Sequence, residues 1–190
     1  MTLFFISHAF MKKNITITGD LGSGKSSVTS ILKEKLNFEV VSVGTVQRKL
    51  AEKYGIESIE AFNKYMETHP EIDTECDNMV AELGKQSGRI FDSRLAWHFV
   101  EDSLKVYLSV NEDIAIKRIF FDQKRINESH LDAEQTGISN RKRRESEIAR
   151  FKLLYNVDLN DFSNYDLVID TGALTPEEVA ERILEAYRQN

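Results

Sequence analysis

The sequence has few of the residues that hold small secreted domains together or that bind structural metals. Cys76 is the single cysteine among 190 residues, so a disulfide within this chain and a zinc site made of cysteines are both excluded. Four histidines are scattered along the chain without the spacing of metal ligands. Because sparse cysteine is typical of proteins from a reducing compartment, we expect a cytoplasmic location.

Long apolar runs and an excess of positive charge are also missing. No apolar segment approaches the roughly 20 residues of a membrane span. The net charge of −6 argues against general binding to nucleic acid or to a membrane surface. The length and the 41% apolar content indicate one globular domain, 1–190, which we expect to be a monomer. Because Met11-Lys12-Lys13 immediately precedes the first predicted strand, residues 1–10 are expected to be a non-native or frayed tail.

One stretch matches the pattern G-x-x-x-x-G-K-[ST] at every fixed position. It consists of Gly19, Asp20, Leu21, Gly22, Ser23, Gly24, Lys25 and Ser26, and Ser27 follows. A β-branched run at 14–18 predicts a buried strand before it, and apolar residues at helical spacing from Val28 to Leu36 predict a helix after it. A glycine-rich turn without a ligand is the alternative, but a strand and a helix flanking the motif favour a phosphate-binding loop.

This loop predicts a nucleoside triphosphate site that uses ATP with Mg²⁺. Backbone N–H groups of residues 19–27 would surround the phosphates, because glycines allow the chain to close around an anion. Lys25 would reach the β- and γ-phosphates, and the Ser26 hydroxyl would be a ligand of Mg²⁺.

Further strand patterns at 38–43, 89–92, 104–110 and 166–170 alternate with helical patterns. They predict an α/β fold with a doubly wound, parallel, five-stranded sheet and ligands at the carboxyl ends of the strands. We expect Gly44 to end the second strand and a helical insert to occupy about 45–88. A polar stretch at 127–140 is expected to be mobile, within a lid at about 122–150.

Three groups outside the loop suit phosphoryl transfer. The first is Asp92-Ser93-Arg94 at the end of the third strand, where Asp92 would hold the metal through water and Arg94 would bind a phosphate. An ordinary strand-end turn with a surface salt bridge is the alternative. The second group is Arg48 with Asp73 and Asp77 in the insert. The carboxylates of Asp73 and Asp77 would accept a hydrogen bond from an exocyclic amino group of cytosine or adenine. The alternative is that both residues belong to a solvated helix face.

The third group is the basic run from Arg141 to Arg144, with Arg150 beyond it. Four consecutive cations after a polar stretch suit a lid that closes over triphosphate, and we expect them to repel one another until a nucleotide binds. Charge runs are usually solvated faces, and Glu145 or Glu147 could pair with this one. We favour the lid.

Several segments together resemble the archaeal-type cytidylate kinases, within the nucleoside monophosphate kinase group of P-loop enzymes. They are residues 19–27, Ser42-Val43-Gly44 with Arg48, His69-Pro70-Glu71-Ile72-Asp73 with Asp77, Arg94-Leu95-Ala96, Glu145-Ser146-Glu147 with Arg150-Phe151, and Tyr165-Asp166-Leu167-Val168-Ile169-Asp170-Thr171. The chain departs from the family pattern at Thr45, where an acidic residue is usual, and at Asp92-Ser93, where Glu-Gly is usual.

The resemblance implies that Arg48 and Arg94 bind the acceptor's phosphate and that the insert holds its base. It places Arg143, Arg144 and Arg150 in the lid and implies transfer of the γ-phosphoryl group of ATP to CMP or dCMP. A kinase for another small acceptor (AMP, UMP or a non-nucleotide) and a non-catalytic nucleotide-binding regulator are the alternatives.

Overall fold

The computed structural model describes residues 14–69, 71–121 and 133–189, and these form one parallel five-stranded sheet with helices on both faces. The strand order is β2-β3-β1-β4-β5, so β1 is central and the chain leaves it first toward one edge and later toward the other. The predicted doubly wound α/β fold is confirmed. In such a parallel sheet the carboxyl ends of all strands lie on the same side of the molecule, and ligands bind there.

The bounds of the elements follow in chain order. The strands are β1 (Asn14–Gly19), β2 (Glu39–Ser42), β3 (Arg89–Asp92), β4 (Ser103–Ser109) and β5 (Leu167–Asp170). The helices are α1 (Lys25–Leu36), α2 (Val43–Lys53), α3 (Ile59–Thr68), α4 (Glu71–Gly84), α5 (Ala96–Phe99), α6 (Glu112–Phe121), α7 (Ala133–Tyr155) and α8 (Pro176–Gln189), with a 3₁₀ turn at Phe162–Asn164.

Apolar clusters of buried side chains hold these elements in place. The first packs the neighbouring helices α1 and α8 onto β1 through fully buried side chains such as Ile15, Leu32 and Ile183. The second packs α2, α3 and α4 onto β2 and β3, and Phe62 and Phe91 are fully buried within it. Each such side chain stabilises the fold by roughly 1.5–3 kcal/mol relative to exposure. The three helices between β2 and β3 are therefore fixed to the sheet.

The start of α2 corrects one expectation. The second strand was predicted to continue through Val43 and to end at Gly44, but β2 ends at Ser42. The Ser42 side chain accepts a hydrogen bond from the backbone N–H of Thr45 at 3.2 Å and so caps α2. Val43 and Gly44 form the first turn of this helix, since an N-cap serine satisfies a helical N–H that a strand would leave unpaired.

The start of α7 lies within the polar stretch at 127–140. Residues 133–140 form the first turns of this 23-residue helix, and the expected mobility of the stretch stays a prediction. Gly137 permits close packing there, because a Cβ at this position would lie 2.8 Å from Cδ1 of Ile116 in α6. The rest of that stretch and of the lid up to residue 132, the tail at 1–10 and Pro70 lie outside the described residues. No helix in the described part is long and apolar enough to cross a membrane.

Candidate active site

The loop between β1 and α1 has the conformation that the motif predicts. Gly22 and Gly24 adopt φ of 76° and 85°, which L side chains rarely adopt. A Cβ on Gly22 would also lie 2.8 Å from the carbonyl oxygen of Ala115. Gly24 is the N-cap residue of α1, so the first N–H groups of the helix point toward the loop. Such a helix terminus attracts anions.

Lys25 lies inside this loop. Its Nζ donates to the carbonyl oxygens of Gly19 at 3.0 Å and of Asp20 at 2.9 Å. Burial, with a further contribution from the neighbouring Arg94 cation, lowers the pKa of Lys25 from 10.5 to about 8, although Asp92 acts in the opposite direction. The ammonium group is therefore held beside the helix terminus in surroundings where the nearby carboxylates only partly offset burial and the Arg94 cation.

Asp92 and Arg94 extend the site from the end of β3. Burial raises the pKa of the Asp92 carboxyl, and the Lys25 and Arg94 cations partly offset that effect. Nη1 of Arg94 lies 2.8 Å from Oε2 of Glu147 in α7, and both side chains are more than four-fifths buried. The predicted surface alternative for this group therefore does not describe Arg94, which joins the sheet edge to α7.

A cavity of about 480 Å³ opens over the loop, and we call it the P-loop cavity. Its lining includes Lys25, Ser26, Asp92, Arg94, Arg118 and Thr171. Arg118, from α6, donates to the backbone oxygen of Thr171 at 2.8 Å and to that of Gly172 at 3.3 Å. These bonds fix the guanidinium group as one wall of the cavity.

A second cavity of about 270 Å³ lies between α2, α4 and the end of α7, and we call it the α4 cavity. Asp73, Cys76 and Asp77 line it from α4, and Tyr155 lines it from α7. The Tyr155 hydroxyl donates a short hydrogen bond to Oδ2 of Asp77. Val43 and Ser93 line both cavities, so the two spaces meet at the carboxyl ends of β2 and β3.

Arg48 is placed differently from the other predicted acceptor residues. It is exposed on α2, and its Nη1 lies 3.5 Å from the position that a Cβ on Gly44 would take. It is not among the described residues that line either cavity. A role in binding the acceptor's phosphate would therefore require its side chain to turn toward Val43.

Two cations of the basic run in α7, Arg141 and Arg144, have acidic partners in this structure. Nη1 of Arg144 lies 2.9 Å from Oδ1 of Asp20, and Arg144 also donates to the Tyr107 hydroxyl and to Asn160. Arg141 forms an ion pair with Glu112. Each of these cations has an acidic partner on another element, which offsets the repulsion between neighbours. The side chains of Arg143 and Arg150 lie outside the described residues.

Asp20 links the loop to this helix. The Tyr107 hydroxyl donates to its Oδ1 at 2.7 Å, and the backbone N–H of Val110 donates to its Oδ2 at 3.1 Å. Burial and this bond to Asp20 raise the pKa of Tyr107 to about 12, so its hydroxyl stays protonated. The carboxylate is fixed by β4 and in turn fixes Arg144.

Four residues of the site were not predicted as such from the sequence: Tyr107, Arg118, Glu147 and Tyr155. Tyr155 follows Ile148 and Phe151 at helical spacing, so its pattern indicates an apolar helix face. Arg118 carries one usable signal, because it is a cation in a helix that otherwise buries Ala115 and Ile119. The partners of Tyr107 and Glu147 lie on distant segments, and no local pattern indicates them.

A metal would have to be held with few protein ligands. No group of three or more His, Cys, Asp or Glu in 14–69, 71–121 and 133–189 has the arrangement of a metal site. Ser26 and Asp92 both line the P-loop cavity, so a hydroxyl and a carboxylate are available there. Oxygen ligands of this kind, completed by phosphates and water, fit Mg²⁺.

Comparison with known proteins agrees with this geometry. A model of the cytidylate kinase-like family matches residues 14–173. The cytidylate kinase of Methanothrix thermoacetophila is 38% identical over 158 residues, which are 83% of this chain and 88% of that protein. An S-adenosylmethionine-dependent nucleotide dehydratase of Lacinutrix mariniflava is 39% identical over 182 residues, but these 95% of this chain span only 37% of that protein.

Solved structures show the same fold. Shikimate kinase from Acinetobacter baumannii, in complex with shikimate, aligns with a TM-score of 0.59 at 20% identity and covers 94% of each chain. At this identity the likeness shows the P-loop kinase fold alone. The family match over residues 14–173 and the identity to cytidylate kinases show more: the chain belongs to the cytidylate kinase-like family.

Proposed function

We propose that this chain is a nucleoside monophosphate kinase that transfers the γ-phosphoryl group of ATP to CMP or dCMP, giving ADP and CDP or dCDP. One observation carries the proposal: the P-loop cavity and the α4 cavity meet at Val43 and Ser93. Two nucleotides bound with their phosphates at this junction would be placed for direct transfer. Positioning of this kind accounts for much of the catalysis of phosphoryl transfer.

The P-loop cavity would bind ATP. N–H groups at the start of α1 would bind the phosphates, and Lys25 would exchange its carbonyl partners for β- and γ-oxygens. Ser26 would hold Mg²⁺ directly and Asp92 would hold it through water, and the bound ion would supply positive charge to the phosphates. Lys25 would stabilise the transition state more than the ground state, because negative charge develops beside its fixed ammonium group during transfer.

The α4 cavity would bind the monophosphate. Arg94, which lines the P-loop cavity and follows Ser93 of the junction, would bind its phosphate together with Arg48 once that side chain turns inward. Asp73 and Asp77 would accept hydrogen bonds from the base. The acceptor phosphate is already an anion, so no strong general base is required. Arg144, with Arg143 and Arg150 of the same helix, would cover the phosphates and exclude water.

The similarity to a nucleotide dehydratase favours a specific use for the nucleotide that this chain would produce. Nearly the whole chain matches that protein, which is much longer than the matched part. We propose that the nucleotide made by this chain serves a dehydratase of that kind. An assay that couples purified kinase product to such a dehydratase tests this link, and a product that the dehydratase leaves unchanged would contradict it.

The decisive assay measures ADP release from ATP·Mg²⁺ with a panel of monophosphates: CMP, dCMP, UMP, AMP and GMP. We expect turnover with CMP or dCMP and at least about a hundredfold less with Lys25→Ala, because the β- and γ-oxygens lose a fixed cation. Activity within about threefold of wild type in that variant would contradict the P-loop assignment.

Other outcomes separate the alternatives. Preference for AMP or UMP would favour a kinase for another acceptor. ATP binding without turnover on any acceptor, nucleotide or not, would favour a non-catalytic regulator. We further propose a cytoplasmic monomer that acts without nucleic acid, supported by the single cysteine and the net charge of −6. Size-exclusion chromatography with light scattering tests the oligomeric state.

A further inference from the structure

A tyrosine and a carboxylate meet across the α4 cavity. The hydroxyl of Tyr155, at the last residue of α7, donates to Oδ2 of Asp77 in the middle of α4. The two residues are 78 positions apart in sequence, and both line the cavity. This contact joins the helix that carries the basic run to the helix that carries the proposed base-binding carboxylates.

The ring of Tyr155 is held from behind. It packs against Phe99 of α5, with ring centroids 5.4 Å apart and planes at 86°, and against His98 at 5.9 Å. Edge-to-face contacts at these distances favour one ring orientation. The hydroxyl is therefore directed at Asp77 by aromatic residues that do not themselves line the described wall of the cavity.

The hydrogen bond decides what this pair offers to a ligand. An ionised carboxylate has two oxygens with about four acceptor sites and no donor. The Tyr155 hydroxyl donates its proton to Oδ2 of Asp77, so this proton is directed at the carboxylate and not at the base. The carboxylate keeps acceptor capacity toward the cavity, because this hydrogen bond occupies one of its acceptor sites.

We propose that Tyr155 is a positioning residue that sets base selectivity by orienting Asp77 toward an exocyclic amino group. This inference rests on the proposed function. The N4 amino group of cytosine donates to an acceptor, whereas O4 of uracil would face a carboxylate and a hydroxyl without a proton to donate. A site built to accept from an amino group rejects a carbonyl because buried polar atoms are left unpaired.

The first test is Tyr155→Phe, which keeps the ring against His98 and Phe99 and deletes only the hydroxyl. We expect the ratio of kcat/KM for CMP to that for UMP to fall about tenfold or more, because Asp77 loses its fixed orientation. The change should be mainly a higher KM for CMP, with kcat within about threefold and the KM for ATP unchanged, since the phosphate end of the site is intact.

Tyr54→Phe is the matched control. The Tyr54 hydroxyl donates to Oε2 of Glu75 at 2.6 Å, which is also a tyrosine–carboxylate bond to α4 but an exposed one. Tyr54 and Glu75 are outside the described lining of the α4 cavity. We therefore expect the CMP/UMP ratio of this variant to equal that of wild type.

Asp77→Asn tests the same idea from the other partner. An amide carries two N–H donors, and its oxygen can still accept from the Tyr155 hydroxyl, which would direct an N–H at the base, so UMP should be used better. We expect kcat/KM for UMP to rise about tenfold, and the rise should be smaller in the double variant Asp77→Asn/Tyr155→Phe, because the amide then loses the hydroxyl that orients it.

The possible outcomes distinguish failure of the proposed function from failure of the role of Tyr155. If wild type phosphorylates no monophosphate, the proposed function fails whatever Tyr155 does. If wild type phosphorylates CMP and folded Tyr155→Phe keeps the wild-type CMP/UMP ratio, the role of Tyr155 is overturned. If Tyr155→Phe does not fold, as judged by circular dichroism, Asp77→Asn decides: unchanged use of UMP overturns the inference, and increased use supports it.

Discussion

Lys25 gives a prediction that needs no substitution: binding of ADP·Mg²⁺ should take up a proton at mildly alkaline pH. Burial and Arg94 lower the pKa of Lys25 to about 8 in this structure, where Nζ donates to two backbone carbonyls. Phosphates bound in the loop would place negative charge beside the ammonium group. The pKa of Lys25 should therefore rise in the complex, and a proton is taken up from solvent.

The size of the effect follows from that pKa. At about pH 9, one unit above it, ~90% of Lys25 is neutral in the free protein, so binding with a charged lysine takes up ~0.9 proton. At about pH 7 only ~10% is neutral, and the uptake falls to ~0.1 proton. The affinity for ADP should decrease by up to about tenfold per pH unit above the pKa, because the lysine must first be protonated.

Isothermal titration calorimetry in buffers of different ionisation enthalpy measures this uptake. The control is Lys25→Ala, which should bind ADP more weakly and without the alkaline uptake. The reasoning is refuted if uptake at about pH 9 does not exceed uptake at about pH 7. Stability gives a second check. A base whose pKa is lowered by folding binds its proton more weakly in the native state, so the unfolding free energy should rise between about pH 8 and 10.5.

Two further predictions concern residues away from the phosphates. Cys76, the single cysteine, lines the α4 cavity. CMP should therefore slow the reaction of this cysteine with a thiol reagent several-fold, and ATP alone should have little effect. Protection by ATP and not by CMP would contradict the assignment of the two cavities. Asn14 is 2% exposed, donates to Gly84 and accepts from the N–H of Arg89, so Asn14→Ala should lower the unfolding free energy in urea by about 2–4 kcal/mol. Asn164 is only partly buried and donates to Asp161 near the surface, so Asn164→Ala should cost less than about 1 kcal/mol.

Local features of this fold could be predicted from the sequence because the interactions that decide them are local. The glycines of the loop are required by positive φ and by close backbone contacts. The start of α8 is another example, because Thr175-Pro176-Glu177-Glu178 has the sequence of a capping box. In the structure Thr175 accepts from the N–H of Glu178, and the Glu178 carboxylate accepts from the N–H of Thr175.

The end of β2 was predicted wrongly for a physical reason. The β-branched pattern continues through Val43, but the Ser42 side chain caps a helix, and Val46 and Leu50 are then buried with α4. Tertiary packing therefore outweighed strand propensity, which is a weak preference that depends on context. The same limit applies to Tyr155, because the helical pattern places it on an apolar face but cannot show that Asp77 lies opposite.

Pairing of the basic residues also depends on distant segments, and it changes how nucleotide binding should be understood. In this structure Arg94 is paired with Glu147, Arg144 with Asp20, and Lys25 with two carbonyls. Under the proposed function, phosphates would not gather loose cations but would compete with these partners. Each exchange replaces one good contact by another, so much of the ground-state affinity would come from the N–H groups at the start of α1. The cations would contribute more as charge develops on the transferring group, which is the condition for raising kcat rather than tightening binding.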